Sequence, residues 1–288
     1  MSVGAALKQG FRIARHVRPA VWVLFLANLG LAALAGFPIY RGILGFTGHS
    51  LMSQKLVSGF PVDWLTDFAM NSPGSLERYA TFIALFGLLS IPVNTILAGG
   101  ILARFREPEH GFSLSDFFHD TARYAWRLLR LMIIGLICYW LIFRVLNQGL
   151  GKLLDKWTRD WPDDRQVFWV HLGVGLLVLL GLAFVNLVMD YARVKLVIDE
   201  DSSAAEAFLA SLGFSLRRLS RAFVVFAVPS ACGIGLLALY RFAVPWPLIS
   251  EPLAVALLFI GQQVVMFGRY WFRVATWASE WSYYAGSR

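Results

Sequence analysis

The residues best suited to chemistry lie in two short polar stretches. The first holds Glu107-Pro108-Glu109-His110 and, shortly after, Asp116-Phe117-Phe118-His119-Asp120. A helix would set Asp116 and His119 on one face, and with His110 they form a candidate divalent-metal set. Neither segment has the two-histidine spacing of a zincin helix, and acids at the start of a helix also follow from its dipole. A solvated link is therefore expected, with no metal. The second stretch holds Asp190 and Arg193, one helical turn apart, placed either to meet a lipid phosphate or to pair with each other at a membrane interface. Asn28, Asn94, Asn186, Gln262 and Gln263 interrupt apolar runs, where hydrogen bonding between helices is the default and a polar path is the alternative. No Asp, Glu or Lys lies near the middle of any such run, although ion-coupled transport and proton relays usually need one. P-loop, nucleophile-elbow and zincin motifs are missing as well. The expectation is a protein that is not an enzyme, with no catalytic residue and no cofactor.

The elements that would position these residues follow from composition. Apolar residues make up 58% of the 288, charged residues only 15%, and the mean hydropathy is +0.61. Soluble domains carry roughly a quarter charged residues. Several charge-free stretches reach the ~20 residues that cross a ~30 Å hydrocarbon core. An all-α, polytopic membrane bundle with six transmembrane helices is expected, with spans near 20–40, 79–103, 128–147, 167–189, 222–240 and 252–275. The whole chain, 1–288, reads as one integral membrane domain. The third span is the shortest in apolar terms, since Leu131–Phe143 alone would reach only ~20 Å. Arg127, Arg130 and Arg144 would snorkel outward to extend it.

Residues 1–18 read as a basic amphipathic helix in the headgroup layer, with Lys8, Arg12 and Arg15 on its polar side. Ala33-Leu34-Ala35 fits a signal-peptidase site, but the basic leader is long for a signal, so this helix is expected to be kept. Residues 146–166 read as a second interfacial segment, and Pro245-Trp246-Pro247 as a turn. With the N-terminus inside, roughly two-thirds of the 26 Lys and Arg fall on the inner side, which puts both termini in the cytoplasm of a bacterial inner membrane. The net charge of +8 then reflects contact with anionic headgroups and excludes a nucleic-acid role. Cys138 and Cys232 sit in apolar runs as small hydrophobes, expected to be reduced.

Two stretches about ninety residues apart share a pattern, as a parallel internal repeat would. Ala103-Arg104 matches Ala192-Arg193, Ser113-Leu-Ser-Asp116 matches Ser203-Ala-Ala-Glu206, and Arg127-Leu-Leu-Arg130 matches Arg218-Leu-Ser-Arg221. Each unit is a span ending in Arg, an acidic link, then a helix opened by a capping box. The units place cytoplasmic hairpins at 104–130 and 193–221, and Phe272-Arg273-Val274 echoes the pattern. Arg104, Arg193 and Arg273 should then share one depth. The run Asp190-Tyr-Ala-Arg193-Val-Lys-Leu-Val-Ile-Asp199, with the Ala-rich helix after it, resembles the multi-pass membrane domain of bacterial glycerophosphodiester phosphodiesterases and its uncharacterised stand-alone relatives. That resemblance covers under a fifth of the chain. It implies architecture only, because the motifs of the catalytic domain are not among these residues.

The sequence therefore supports a non-catalytic scaffold, assembly factor or accessory subunit that contacts membrane lipids and other membrane subunits. A transporter or lipid-handling protein, with a polar path through Asn94, Asn186 and Gln263, is the alternative. The arginines and lysine at the inner surface (Lys8, Arg12, Arg15, Arg104, Arg127, Arg130, Arg193, Arg218, Arg221 and Arg273) are the candidate contacts for lipid phosphate.

Overall fold

The computed structural model describes residues 1–48, 62–109, 111–159, 161, 163–200, 203–243 and 252–287. His110, the Pro245–Pro247 turn and most of the first loop lie outside the described residues. The chain is helical throughout what is described: α1 (Val3–His16), α2 (Arg18–Thr47), α3 (Val62–Asn71), α4 (Ser75–Arg104), α5 (Leu114–Ile142), a π-helical segment (Phe143–Leu150), α6 (Gly151–Thr158), α7 (Asp164–Ile198), α8 (Ala204–Arg217), α9 (Leu219–Ala243) and α10 (Pro252–Ala285). Six of these runs are long and apolar enough to cross a membrane, so this is a multi-pass membrane protein.

Helix starts follow local chemistry. Ser113 and Ser203 accept the amides of Asp116 and Glu206, capping α5 and α8. Asp163 caps α7 in the same way, and Pro19 sits in the first turn of α2, where a missing N–H costs nothing. The long helices overrun the expected spans at one or both ends, because charge ends a membrane span without ending a helix. The third span differs most from expectation. α5 runs through the π-helical segment into α6 as one rod, where a span and a separate interfacial helix were expected. No proline interrupts residues 128–158, and the wider π turn absorbs the change without breaking the helix.

Packing is uneven along the bundle. At what we term the basal end, α1, the last turns of α4 and α7, the first half of α5, α8 and the last turns of α10 enclose one apolar core. Ile101, Leu102, Phe117, Leu128, Tyr191, Leu196 and Tyr283 are fully buried there. Towards the other end, Leu34, Phe37 and Tyr40 of α2, Leu85 and Leu88 of α4, Leu176 to Leu180 of α7 and Leu257 to Ile260 of α10 are mainly exposed, as lipid-facing surface must be.

Glycine permits two close approaches between helices at the basal end. A Cβ on Gly100 of α4 would lie 2.2 Å from the Thr121 hydroxyl and 2.9 Å from the Phe117 carbonyl of α5. One on Gly10 of α1 would lie 2.2 Å from the Ser279 hydroxyl and 2.5 Å from its Cα on α10. The face of α1 formed by Ala6, Gly10, Ile13, Ala14 and Val17 is thus turned to protein, while Lys8, Arg12 and Arg15 point away. Gly10→Ala should destabilise the protein by about 1–3 kcal/mol through overpacking. Limited proteolysis within residues 1–18 would report it, and a variant as resistant as the wild type would show that α1 docks more loosely.

Candidate functional site

The site forms where α7 meets α10, just above the basal core. On α10, Arg273, Trp277 and Glu280 follow i, i+4, i+7 spacing and so share one helix face. On α7, Asp190 and Arg193 lie one turn apart. Asp190 is 0% exposed, and its Oδ1 accepts hydrogen bonds from Arg193 at 2.8 Å, Arg273 at 2.9 Å and the Trp277 indole N–H at 3.1 Å. The Arg273 guanidinium also lies over the Trp277 ring, 5.0 Å from its centroid. One carboxylate oxygen thereby fixes two guanidinium planes and an indole. The pair expected between Asp190 and Arg193 is present, and it is the centre of a buried network that joins two helices.

Around this network several polar groups have no partner. Asp190 Oδ2, both carboxyl oxygens of Glu280, and the hydroxyls of Tyr191, Ser211 and Ser215 are buried and make no hydrogen bond with the described residues. Such groups are uncommon in folded proteins and cost free energy where they occur. Glu280 escaped notice in the sequence because it stands alone among the aromatic residues at the end of the last helix. Its signal was there, since the positions one turn away (Thr276, Trp277, Tyr283, Tyr284) offer no cation to neutralise a carboxylate.

Two cavities open beside the network. The smaller, about 250 Å³, is lined by Leu24, Asn94, Thr95, Arg193, Arg273 and Trp277, among others. The larger, about 530 Å³, lies between α2, α4 and α10, with walls that include Leu29, Ala32, Phe86, Gln262 and Gln263. Tyr270 lines both. Asn28 faces the larger and Asn94 the smaller, and the two amides bond reciprocally at 2.6 and 2.9 Å, tying α2 to α4 between the compartments. Gly36 and Gly87 border the larger cavity, and a Cβ on either would meet open space. An apolar cavity and a smaller cationic one thus lie side by side, and the apolar one falls within the ~300–1,000 Å³ of small-molecule sites.

The remaining expected residues are dispersed. Asn186 accepts from the Tyr139 hydroxyl at 3.5 Å, between α7 and α5, away from Asn94 and Gln263. Arg104 pairs with Asp120 on α5. Lys8, Arg12 and Arg15 line an open groove against Trp271. Arg130 stacks over Trp126 and Arg218 over Phe214, Arg127 borders a small cleft with Glu200, and Arg221 is exposed. Asp116 and His119 are exposed on the first turns of α5, and no group of three His, Cys, Asp or Glu among the described residues is placed to hold a metal. Cys138 and Cys232 are free thiols.

A second charged cluster ties the two basal connections together. Glu200 accepts from Arg106, from Arg123 at 2.8 Å and from the Tyr124 hydroxyl at 3.2 Å, while Arg106 also donates to the Val197 carbonyl. Glu200 takes a left-handed φ of 44°, and these partners hold it there. The Arg106 hydrogen bond is the main cause that lowers the Glu200 carboxyl below the usual range. A lowered folded-state pKa stabilises the protein at neutral pH, and that stability is lost as pH falls through the folded value. The melting difference between wild type and Glu200→Gln should therefore be constant near neutrality and vanish on acidification below the ordinary carboxylate range. A difference that persisted there would mean the carboxylate charge is not what ties the connections together.

Compared with known protein families, with curated proteins and with solved structures, the chain matches none. Function therefore has to be read from the site alone.

Proposed function

We propose that this is a lipid-handling, non-catalytic protein of a bacterial cytoplasmic membrane, which holds one amphipathic molecule between α2, α4 and α10. Two neighbouring cavities carry this reading, one apolar and one bearing two arginines, with Tyr270 in the wall of each. Placing the basal end and both termini in the cytoplasm agrees with the inward excess of Lys and Arg. It also puts the arginines at headgroup depth and the apolar compartment at the depth of acyl chains. The capped starts of α5 and α8 favour the parallel repeat, in which one copy runs straight through Arg127 and Arg130 and the other breaks at Arg218. The resemblance to phosphodiesterase membrane domains adds an architecture to this reading and no activity.

The test is native mass spectrometry of the protein extracted in mild detergent. Expected is a lipid-mass adduct that is lost in Gly36→Leu and Gly87→Leu, whose side chains would fill the larger cavity. A chain that flies lipid-free, or adducts unchanged in both variants, would overturn the proposal.

A scaffold or accessory-subunit role is the second reading. It is favoured by Leu114, Phe118, Trp126, Leu209 and Leu216, large apolar side chains exposed on α5 and α8 at the basal end. Subunits that co-purify, and are lost when these residues are made polar, would favour it.

A further inference from the structure

We infer that the cationic compartment is a headgroup site that selects a phosphate-bearing anionic lipid over a zwitterionic one. The inference rests on the lipid-holding reading above and adds what the held molecule must carry. Each guanidinium offers five N–H donors. Arg193 and Arg273 each spend a single bond on Asp190 and make no hydrogen bond to any other described residue. Their side chains stay 17% and 30% exposed, and that exposure opens into the 250 Å³ cavity. Two guanidiniums share one carboxylate oxygen, which leaves cationic donors unspent beside a low-dielectric space. Glu280, the other carboxyl at this junction, accepts no hydrogen bond from either of them. An anion entering the compartment would take up the unspent donors.

Geometry narrows the anion. Asp190 holds both forks from one side, and the Trp277 ring lies against the Arg273 plane, so the donors are aimed before any ligand arrives. A tetrahedral phosphate can accept from two such forks at once, and the quaternary ammonium that a zwitterionic lipid carries on the same phosphate would set a third cation beside the two arginines. Asp190 is in this sense a positioning residue. The apolar cavity adjoins this compartment across Tyr270 and the Asn28–Asn94 pair, so an acyl chain beside a seated phosphate has an apolar wall within reach. A small soluble phosphate would make no use of that wall.

The experiment offers the delipidated protein phosphatidylglycerol and phosphatidylcholine of identical chains and compares adducts by native mass spectrometry. Wild type should favour phosphatidylglycerol about tenfold, as charge-assisted bonds to two arginines allow. In Arg273→Gln, and separately in Arg193→Gln, the preference should fall to near parity while phosphatidylcholine adducts persist, which also reports an intact fold. Arg273→Lys should keep part of the preference. Equal binding of both lipids by wild type, or a preference unchanged in both Gln variants, would overturn the headgroup site while leaving the cavity reading standing. Binding of neither lipid would overturn both. Displacement of phosphatidylglycerol by millimolar inorganic phosphate would show that the site serves a soluble anion, which also counts against the inference.

Discussion

Asp190→Ala is expected to be the most damaging single substitution in the molecule, costing about 3 kcal/mol or more. Removing one partner of a buried ion pair typically costs ~3–5 kcal/mol, because the charge left behind stays desolvated. Here two guanidiniums and an indole N–H lose their acceptor together. Partial access of both arginines to the neighbouring cavity places the effect near the lower bound. Asp190→Asn keeps an acceptor oxygen and should lose less. Thermal unfolding in one fixed detergent measures the series, and an alanine variant that melts with the wild type would mean that Arg193 and Arg273 find other partners.

Glu280→Met is expected to act in the opposite direction, raising stability by about 1–3 kcal/mol. The desolvation cost of an unsatisfied buried polar group is of that size, and Met fills a similar volume without it. Both Glu280 oxygens lack a donor, and the residue is 0% exposed. The same melting experiment decides the sign. A destabilised Glu280→Met would show that the carboxyl makes an interaction absent from the resting structure. A stabilised variant that retained less lipid would mark Glu280 as a residue kept for function at the expense of stability.

The sequence was informative wherever one physical rule dominated. Charge-free length located six apolar helices, and the Ser-x-x-acid pattern located the capped starts at Ser113 and Ser203. Helix length was harder to read, since α7 continues from the expected end of its span at residue 189 as far as Ile198. Its charged turn is stabilised by tertiary packing that no local window contains. The Asp190–Arg193 pair was legible as an i,i+3 contact. Its burial was not, because Arg273 and Trp277 reach it from a helix more than eighty residues away. Asn94 was singled out as an interior group, but its partner Asn28 could not be chosen from spacing alone, and Asn186 lies in a separate contact with Tyr139.

The clasp between α1 and α10 also bears on how the protein is made. The face of α1 carrying Ala6, Gly10 and Ala14 packs on α10 around Ser279, which the ribosome adds long after Gly10. At about 5–20 residues per second, that face waits on the order of tens of seconds for α10. A basic helix with one apolar side is suited to rest on an anionic bilayer surface meanwhile. The bilayer would then stand in for α10 until the two helices meet.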